Sequence, residues 1–265
     1  MRLVEEQIDE GRPPVCTYGP IIHNEQVVQE LRSKGVRVIE DLDTLKEGTE
    51  GTIIIRSHGV SRAEQERMEA SGMRVVDATC PFVKKIHRIV ENAGREGKHV
   101  LIAGDPEHPE VQGIVGWALG EVQVLQSATD AESISLSKDH AYVLVAQTTF
   151  HAGKFEDIVE ILRKKGYDIS VTNTVCSATD ERQTEARAIA CQVDAMIVIG
   201  GRHSSNTRKL VEICKEHCRS TAFIETLDDL DLRPFQSLSR VGITAGASTP
   251  KSIIEEVTKH VRTEL

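Results

Sequence analysis

One arrangement occurs twice in this chain and constrains its fold more than any other feature. In Met73-Arg-Val-Val-Asp-Ala-Thr-Cys80-Pro-Phe-Val-Lys-Lys85, a short apolar run ends in a polar turn, a cysteine and a proline. The run reads as a buried strand, and Pro81 suits the first position of a helix, where a missing N–H costs nothing. Cys80 therefore sits on a strand-to-helix elbow, where free N–H groups and the helix dipole favour a thiolate. The design returns in Tyr167-Asp-Ile-Ser-Val-Thr-Asn-Thr-Val-Cys176-Ser-Ala-Thr-Asp-Glu181, with a helix start expected at Ser177 or Thr179. Two cysteines on equivalent elbows mark a repeat.

Between and beyond these elbows the chain alternates strands and helices three times. The first copy holds strands near Val15–Tyr18, Val36–Ile39, Thr52–Arg56 and Met73–Val76, with helices near Arg2–Ile8, Glu25–Lys34 and Arg62–Ala70. The second adds a helix from Phe82, strands at His99–Ala103, VQVLQ and YVLVA, a polar SATDAE link, and the strand before Cys176. The third runs through Ala195–Ile199, TAFIE and VGITA to a last helix over Pro250–Val261. Such alternation builds parallel sheets with helices on both faces. The expected architecture is α/β, with three pseudo-repeated domains at 1–80, 81–176 and 177–265.

Aligning the copies locates the chemistry. After the first strand of each comes Gly19-Pro-Ile-Ile-His23, then Gly104-Asp-Pro-Glu-His108-Pro-Glu110, then Gly200-Gly-Arg-His-Ser204-Ser205-Asn206. After a later strand come Ser57-His58-Gly59, Gln147-Thr148-Thr149 and Ala245-Gly-Ala-Ser248-Thr249. Ligands of open parallel sheets sit beyond the carboxyl ends of the strands, where all six turns fall. Histidines, hydroxyls, an asparagine and helix N-termini make a phosphate-binding set, and thiolates at the same ends favour a soft metal.

Plainer readings stand beside these. A lone turn histidine is ordinarily solvated, although three at matched positions argue for a role. Glu110 also reads as a first-turn acid, and Ser204, Ser205 and Asn206 as N-caps. Gly59, Gly242 and Gly246 read as turn glycines. Cys214 and Cys218 read as helix packing, Cys16 and Cys191 as core thiols, and the acidic stretches at Asp41 and Asp228 as solvated loops.

A net charge of −9 argues against nucleic acid and an anionic membrane surface. No apolar run approaches a membrane span, and the first residues do not read as a secretory signal. Six cysteines in such a chain point to the reducing cytosol, hence to metal binding or catalysis before disulfides.

SHGV, DATCP, HPEVQG, QTT, the Cys-Ser-Ala-Thr elbow, SSNT and TAGAS appear in that order. Together they resemble the motifs of the 4-hydroxy-3-methylbut-2-enyl diphosphate reductase family, along the whole chain. The resemblance implies a three-domain trefoil around a central [4Fe–4S] cluster held by three cysteines, two of which match Cys80 and Cys176. It implies a diphosphate-binding set of His23, His58, His108, Ser204, Ser205, Asn206 and Ser248. Glu110 is implied as proton donor, with His108 delivering protons beside it and Thr148 bonded to the reacting hydroxyl; Thr179 is implied as a nearby hydroxyl. The implied reaction removes an allylic hydroxyl reductively in the methylerythritol phosphate route, giving isopentenyl and dimethylallyl diphosphate. Its electrons are implied to come from a ferredoxin or flavodoxin.

The repeat also exposes a gap. Cys80 precedes His108 by 28 positions and Cys176 precedes Ser204 by 28, so the counterpart for His23 falls at 23 − 28 = −5. The expectation is a reading frame that extends upstream of Met1 and supplies a strand and the third cysteine; the printed chain is then expected to bind iron weakly and turn over poorly. Two other classes fit the residues: a zinc-dependent hydrolase or isomerase of a phosphorylated substrate, and a non-catalytic diphosphate binder.

Overall fold

A computed structural model describes residues 2–10, 14–22, 24–45 and 48–264. The first sheet is built from β1 (Val15–Tyr18), β2 (Arg37–Ile39), β3 (Thr52–Ile55) and β4 (Arg74–Asp77), with α1 (Arg2–Asp9), α2 (Glu25–Ser33) and α3 (Arg62–Ala70) between or before them. Its order is β2-β1-β3-β4, all parallel. After α4 (Pro81–Arg95), the second sheet takes β5 (His99–Ala103), β6 (Val122–Leu125), β7 (Ala141–Ala146) and β8 (Asp168–Val171), interspersed with α5 (Pro109–Trp117), α6 (Ala128–Ser133) and α7 (Ala152–Lys164). Its order, β6-β5-β7-β8, repeats the first, again parallel. After α8 (Ser177–Ala190), the third sheet orders β9 (Ala195–Ile199), β10 (Thr221–Ile224) and β11 (Val241–Ala245) as β10-β9-β11, with α9 (Ser205–His217) and α10 (Lys251–Glu264) completing the chain.

By contacts the chain forms two compact units, residues 1–21 with 28–175 and residues 22–27 with 176–265. The first unit contains the first two sheets, the second the third.

The central strands are buried on both faces, which is why HVLIA, YVLVA and AMIVI are continuous apolar runs with no alternation. Along β5 and β7, Val100, Ile102, Val143 and Val145 face α4 and α5, packing on Ile86, Val90, Val111 and Ile114. The intervening Leu101, Ala103, Leu144 and Ala146 face α7, against Phe155, Ile158 and Leu162. The third sheet divides the same way, Met196 and Val198 toward α8 and α9, Ile197 and Ile199 toward α10. Side-chain alternation along each strand thus feeds two cores.

In each sheet the first strand lies beside the third, so the connections leave in opposite directions between them. Open parallel sheets bind ligands at such switch points, which here fall beyond the carboxyl ends of β1 and β3, of β5 and β7, and of β9 and β11. The six turns singled out above follow those six strands.

Several local readings are corrected. SATDAE is not a mere polar link: Ser127 and Asp130 form a capping box that starts α6. Helix α8 starts at Ser177, one of the two expected positions, with Cys176 as its N-cap. Cys191 is no core thiol, because it sits exposed at the C-cap of α8. Gly242 lies inside β11, where a Cβ would meet Met196 Sδ at 2.5 Å. Among the described residues no helix is long and apolar enough to cross a membrane.

Candidate active site

In the first unit, a chain of contacts joins the turns at the sheet ends. Pro81 takes the first position of α4, and Cys80 is the N-cap, its thiol making no capping bond. The Cys80 N–H donates to the Ser57 carbonyl at 2.9 Å, and Thr79 N–H donates to Asp77 Oδ1 at 2.9 Å. The cysteine elbow is thereby tied to the Ser57-His58-Gly59 turn. Gly59 takes φ +73°, and a Cβ there would lie 2.8 Å from His87 Cε1.

The ring of His58 meets that of His108 edge-on, centroids 5.3 Å apart at 77°. His108 caps α5, its Nδ1 accepting the Glu110 N–H at 3.1 Å. An Nδ1 that accepts cannot carry a proton, so Nε2 is the donor nitrogen of the neutral ring. Glu110 is only 2% exposed. Thr148 donates to both of its oxygens, the backbone N–H to Oε1 at 2.6 Å and the hydroxyl to Oε2 at 2.7 Å. Burial pushes the carboxyl up to about 7, against the two Thr148 bonds that pull it down. A first-turn acid that served only the helix dipole would sit in solvent. Thr148 is held in turn by its neighbours. Gln147 N–H donates to Ala103 O, and the Thr174 hydroxyl clasps Ala146 through both its N–H (2.7 Å) and its carbonyl (2.5 Å).

In the second unit, Cys176 caps α8 with a thiol that makes no capping bond, and the buried Thr179 donates its N–H to the Cys176 carbonyl at 2.8 Å. Ser204 is a true N-cap, accepting the Thr207 N–H at 3.3 Å. Ser205 and Asn206 fill the first turn of α9 and are 8% and 5% exposed. Neither amide atom of Asn206 has a hydrogen-bond partner among the described residues, and the same holds for Thr207 Oγ1 and Ser248 Oγ. A Cβ on Gly200 or Gly246 would strike Thr207 Oγ1, at 2.6 and 2.1 Å, so the turns after β9 and β11 close around that hydroxyl. Buried polar atoms are nearly always paired, so a set of orphans at a switch point has donors and acceptors to offer a polar ligand.

Thr207 was missed as a site residue although it ends the SSNT string. His23 lies outside the described residues. The other cysteines separate cleanly from Cys80 and Cys176, which are half-buried and free. Cys16 and Cys214 are fully buried, burial pushing each thiol to about 11. Cys218 packs in the core beside Cys214. Among the described residues no three His, Cys, Asp or Glu side chains come together as ligands for one ion.

The family model described as LytB protein matches residues 1–262. The 4-hydroxy-3-methylbut-2-enyl diphosphate reductase of Geobacter sulfurreducens is 48% identical over 246 residues, 93% of this chain and 86% of that protein. The Caldanaerobacter subterraneus enzyme of the same name is 43% identical over 246 residues, 93% of this chain and 85% of that one. The solved reductase from Plasmodium falciparum superposes with a TM-score of 0.92 at 28% identity, covering 98% of this chain and 81% of its own. A second solved reductase, described as the terminal enzyme of the non-mevalonate pathway, gives 0.70 at 39% identity, over 99% and 92%. With the α/β sheets, the ordered motifs and relatives of this closeness in agreement, the chain belongs to the LytB protein family.

Proposed function

We propose that the chain reduces 4-hydroxy-3-methylbut-2-enyl diphosphate to isopentenyl and dimethylallyl diphosphate. The observation that carries this reading is the buried Glu110 carboxyl, poised near 7 between His108 and Thr148. Reductive removal of an allylic hydroxyl takes two electrons and two protons and releases water. A carboxyl half-protonated at neutral pH is matched to giving up one of those protons.

Cys80 and Cys176 would each supply a thiolate to a [4Fe–4S] cluster. Their chemistry fits: both are free helix-cap cysteines unburdened by a capping bond, at the ends of the sheets that carry the remaining site residues. When bound, such a cluster supplies one-electron transfer and a Lewis acid for the departing oxygen.

The protein's own residues do the rest. Asn206, Ser204, Ser205 and Ser248, with His23, His58 and the Nε2–H of His108, hold the diphosphate by neutral donors and helix ends. Thr207, not foreseen, joins them through its orphan hydroxyl. Thr148 orients Glu110 and bonds the substrate hydroxyl, with Thr179 nearby. Anchoring the diphosphate fixes the distance from anion to reacting hydroxyl, so the reaction proceeds from one bound pose. Electrons come from a ferredoxin or flavodoxin in the cytosol. We read the three sheets as three repeats bounded at 1–80, 81–176 and 177–265.

The test is anaerobic reconstitution with iron and sulfide, then turnover of the diphosphate with reduced methyl viologen. The two five-carbon diphosphates are the expected products. Stoichiometric cluster and bound substrate with no product would sink the reading.

A further inference from the structure

Helix α4 starts at Cys80 and shows two unlike faces. Val83, Ile86, His87, Val90 and Ala93 point inward. Phe82, Lys85 and Arg88 lie on the opposite, exposed face at the same helical spacing. Phe82 is 47% exposed, one of few large apolar side chains left in solvent. Neither Lys85 nor Arg88 has a partner among the described residues, whereas Lys84 is paired with Asp77 at 2.6 Å and Glu91 with Arg62 and Arg95. The helix carries Lys84, Lys85, Arg88 and Arg95 against Glu91, a net of +3 in a chain of net −9. Positive charge is thus concentrated where the rest of the molecule is acidic. Beside this face lies a cleft of about 240 Å³ whose lining includes Lys84, His87, Arg88 and Trp117, together with the carboxylates Asp77 and Glu91 that Lys84, Arg62 and Arg95 neutralise. Its floor is rigid: His87 stacks on Trp117 at 5.3 Å, and the Trp117 Nε1–H donates to the Val60 carbonyl at 2.8 Å.

An exposed aromatic among unpaired cations, next to a firm recess, has the composition of a protein-docking patch. Its position selects the partner. At about 1.5 Å rise per residue, Phe82, Lys85 and Arg88 lie about 3, 7.5 and 12 Å along the axis from Cys80. We infer that the Phe82, Lys85 and Arg88 face of α4 is the docking surface for a small acidic one-electron carrier protein, which delivers electrons beside Cys80. This rests on the reductase reading above. Each encounter oxidises the carrier by one electron, and two encounters with two protons replace the allylic hydroxyl by hydrogen and release water. Opposite charge favours fast, salt-sensitive encounter over tight binding, as repeated delivery requires.

The experiment titrates the full chain with an acidic [2Fe–2S] ferredoxin at low ionic strength, comparing Lys85→Glu/Arg88→Glu with a charge-matched control, Lys259→Glu/Arg262→Glu. The first pair is expected to weaken binding at least about tenfold and flatten its salt dependence; the control should change it less than about threefold. Phe82→Ser should weaken binding with the salt dependence kept. In the reconstituted enzyme, ferredoxin-driven turnover should fall in the α4 variants while viologen-driven turnover stays. No binding by the unmodified chain, an unchanged affinity in Lys85→Glu/Arg88→Glu, or equal loss in the control overturns the assignment. Loss of viologen-driven turnover in the unmodified chain would instead overturn the reductase reading.

Discussion

Replacing Glu110 by Gln tests the site through stability as well as rate. The folded carboxyl titrates at about 7, against about 4.5 for a solvated glutamate, because burial disfavours its charge. Below pH 4.5 both folded and unfolded chains hold the proton, and the group costs nothing. Between 4.5 and 7 the unfolded chain releases it while the folded chain keeps it, so stability falls as pH rises. Above 7 both are ionised and the loss is complete. Over an interval of about 2.5 pH units, at about 1.36 kcal/mol per pH unit, the loss reaches about 3 kcal/mol. Glutamine fills the same space, accepts the Thr148 N–H and has no proton to lose. The stabilities of the two proteins should therefore diverge by about 3 kcal/mol from pH 4.5 to 8, with the Gln protein the more stable at the upper end. Trp117 is the only tryptophan and lies in the same unit, so its fluorescence follows this unit's unfolding in urea. With a slope of about 2 kcal/mol per molar urea, the gap between midpoints should widen by about 1.5 M. All other titrating groups cancel in the comparison. The same variant should lose about 10²–10⁴ in turnover with its cluster intact. Midpoint curves that stay parallel across that range would show Glu110 ionised throughout, and the proton-donor role would fall with it.

Thr148→Val removes the hydroxyl bond that holds Glu110 down, so the alkaline limb of the pH–rate profile should move above about 7; an unmoved limb breaks the link between these residues. Asn206→Ala should leave the fold as stable as before, or more so, because neither amide atom is paired among the described residues. It should also raise the substrate's apparent KM about 10–100-fold, so a stability loss with unchanged KM would make Asn206 structural. Gly59→Ala forces a left-handed conformation on a residue with a side chain, costing about 1–2 kcal/mol, and presses on His87. Its melting temperature should drop, and a neutral outcome would show that the turn carrying His58 is free to relax.

The alternation of strands and helices was legible because the central strands are buried on both faces. TIII, VLIA, YVLVA and AMIVI can be little else in a chain with such regular polar turns. The switch-point turns were legible for a different reason, since the same composition recurs after corresponding strands. Short-range signals were harder. Helix α6 buries only Ala131, so it has no apolar periodicity to detect, although Ser127 and Asp130 spell its cap. The start of α8 was legible to within two residues, at Ser177 or Thr179, but its cap was not named. The comparison with Cys80-Pro81 points to Cys176 as that cap, because position in the repeat outweighs cap preference. Cys191 misled because a thiol near a helix end is buried or exposed according to whether the helix stops one residue earlier.

What no sequence pattern could show is the energetic state of the site. Glu110 and His108 stand two residues apart in the sequence, but the carboxyl is raised by burial, which the fold alone sets, and is held back by Thr148, 38 residues away. The orphan hydroxyl of Thr207, next in sequence to the orphan amide of Asn206, depends likewise on turns after two different strands converging on α9. Both groups run against folding: a buried unpaired amide costs about 1–3 kcal/mol, and an ionised buried carboxylate costs a similar amount. Such groups persist only on elements that stay folded without their help. Strands β5, β7 and β9 are that kind of element, each covered by helices on both faces. Asn206 and Thr207 in the second unit and Glu110 in the first therefore occupy the one place in each sheet where the ladder ends and the core no longer dictates the side chain.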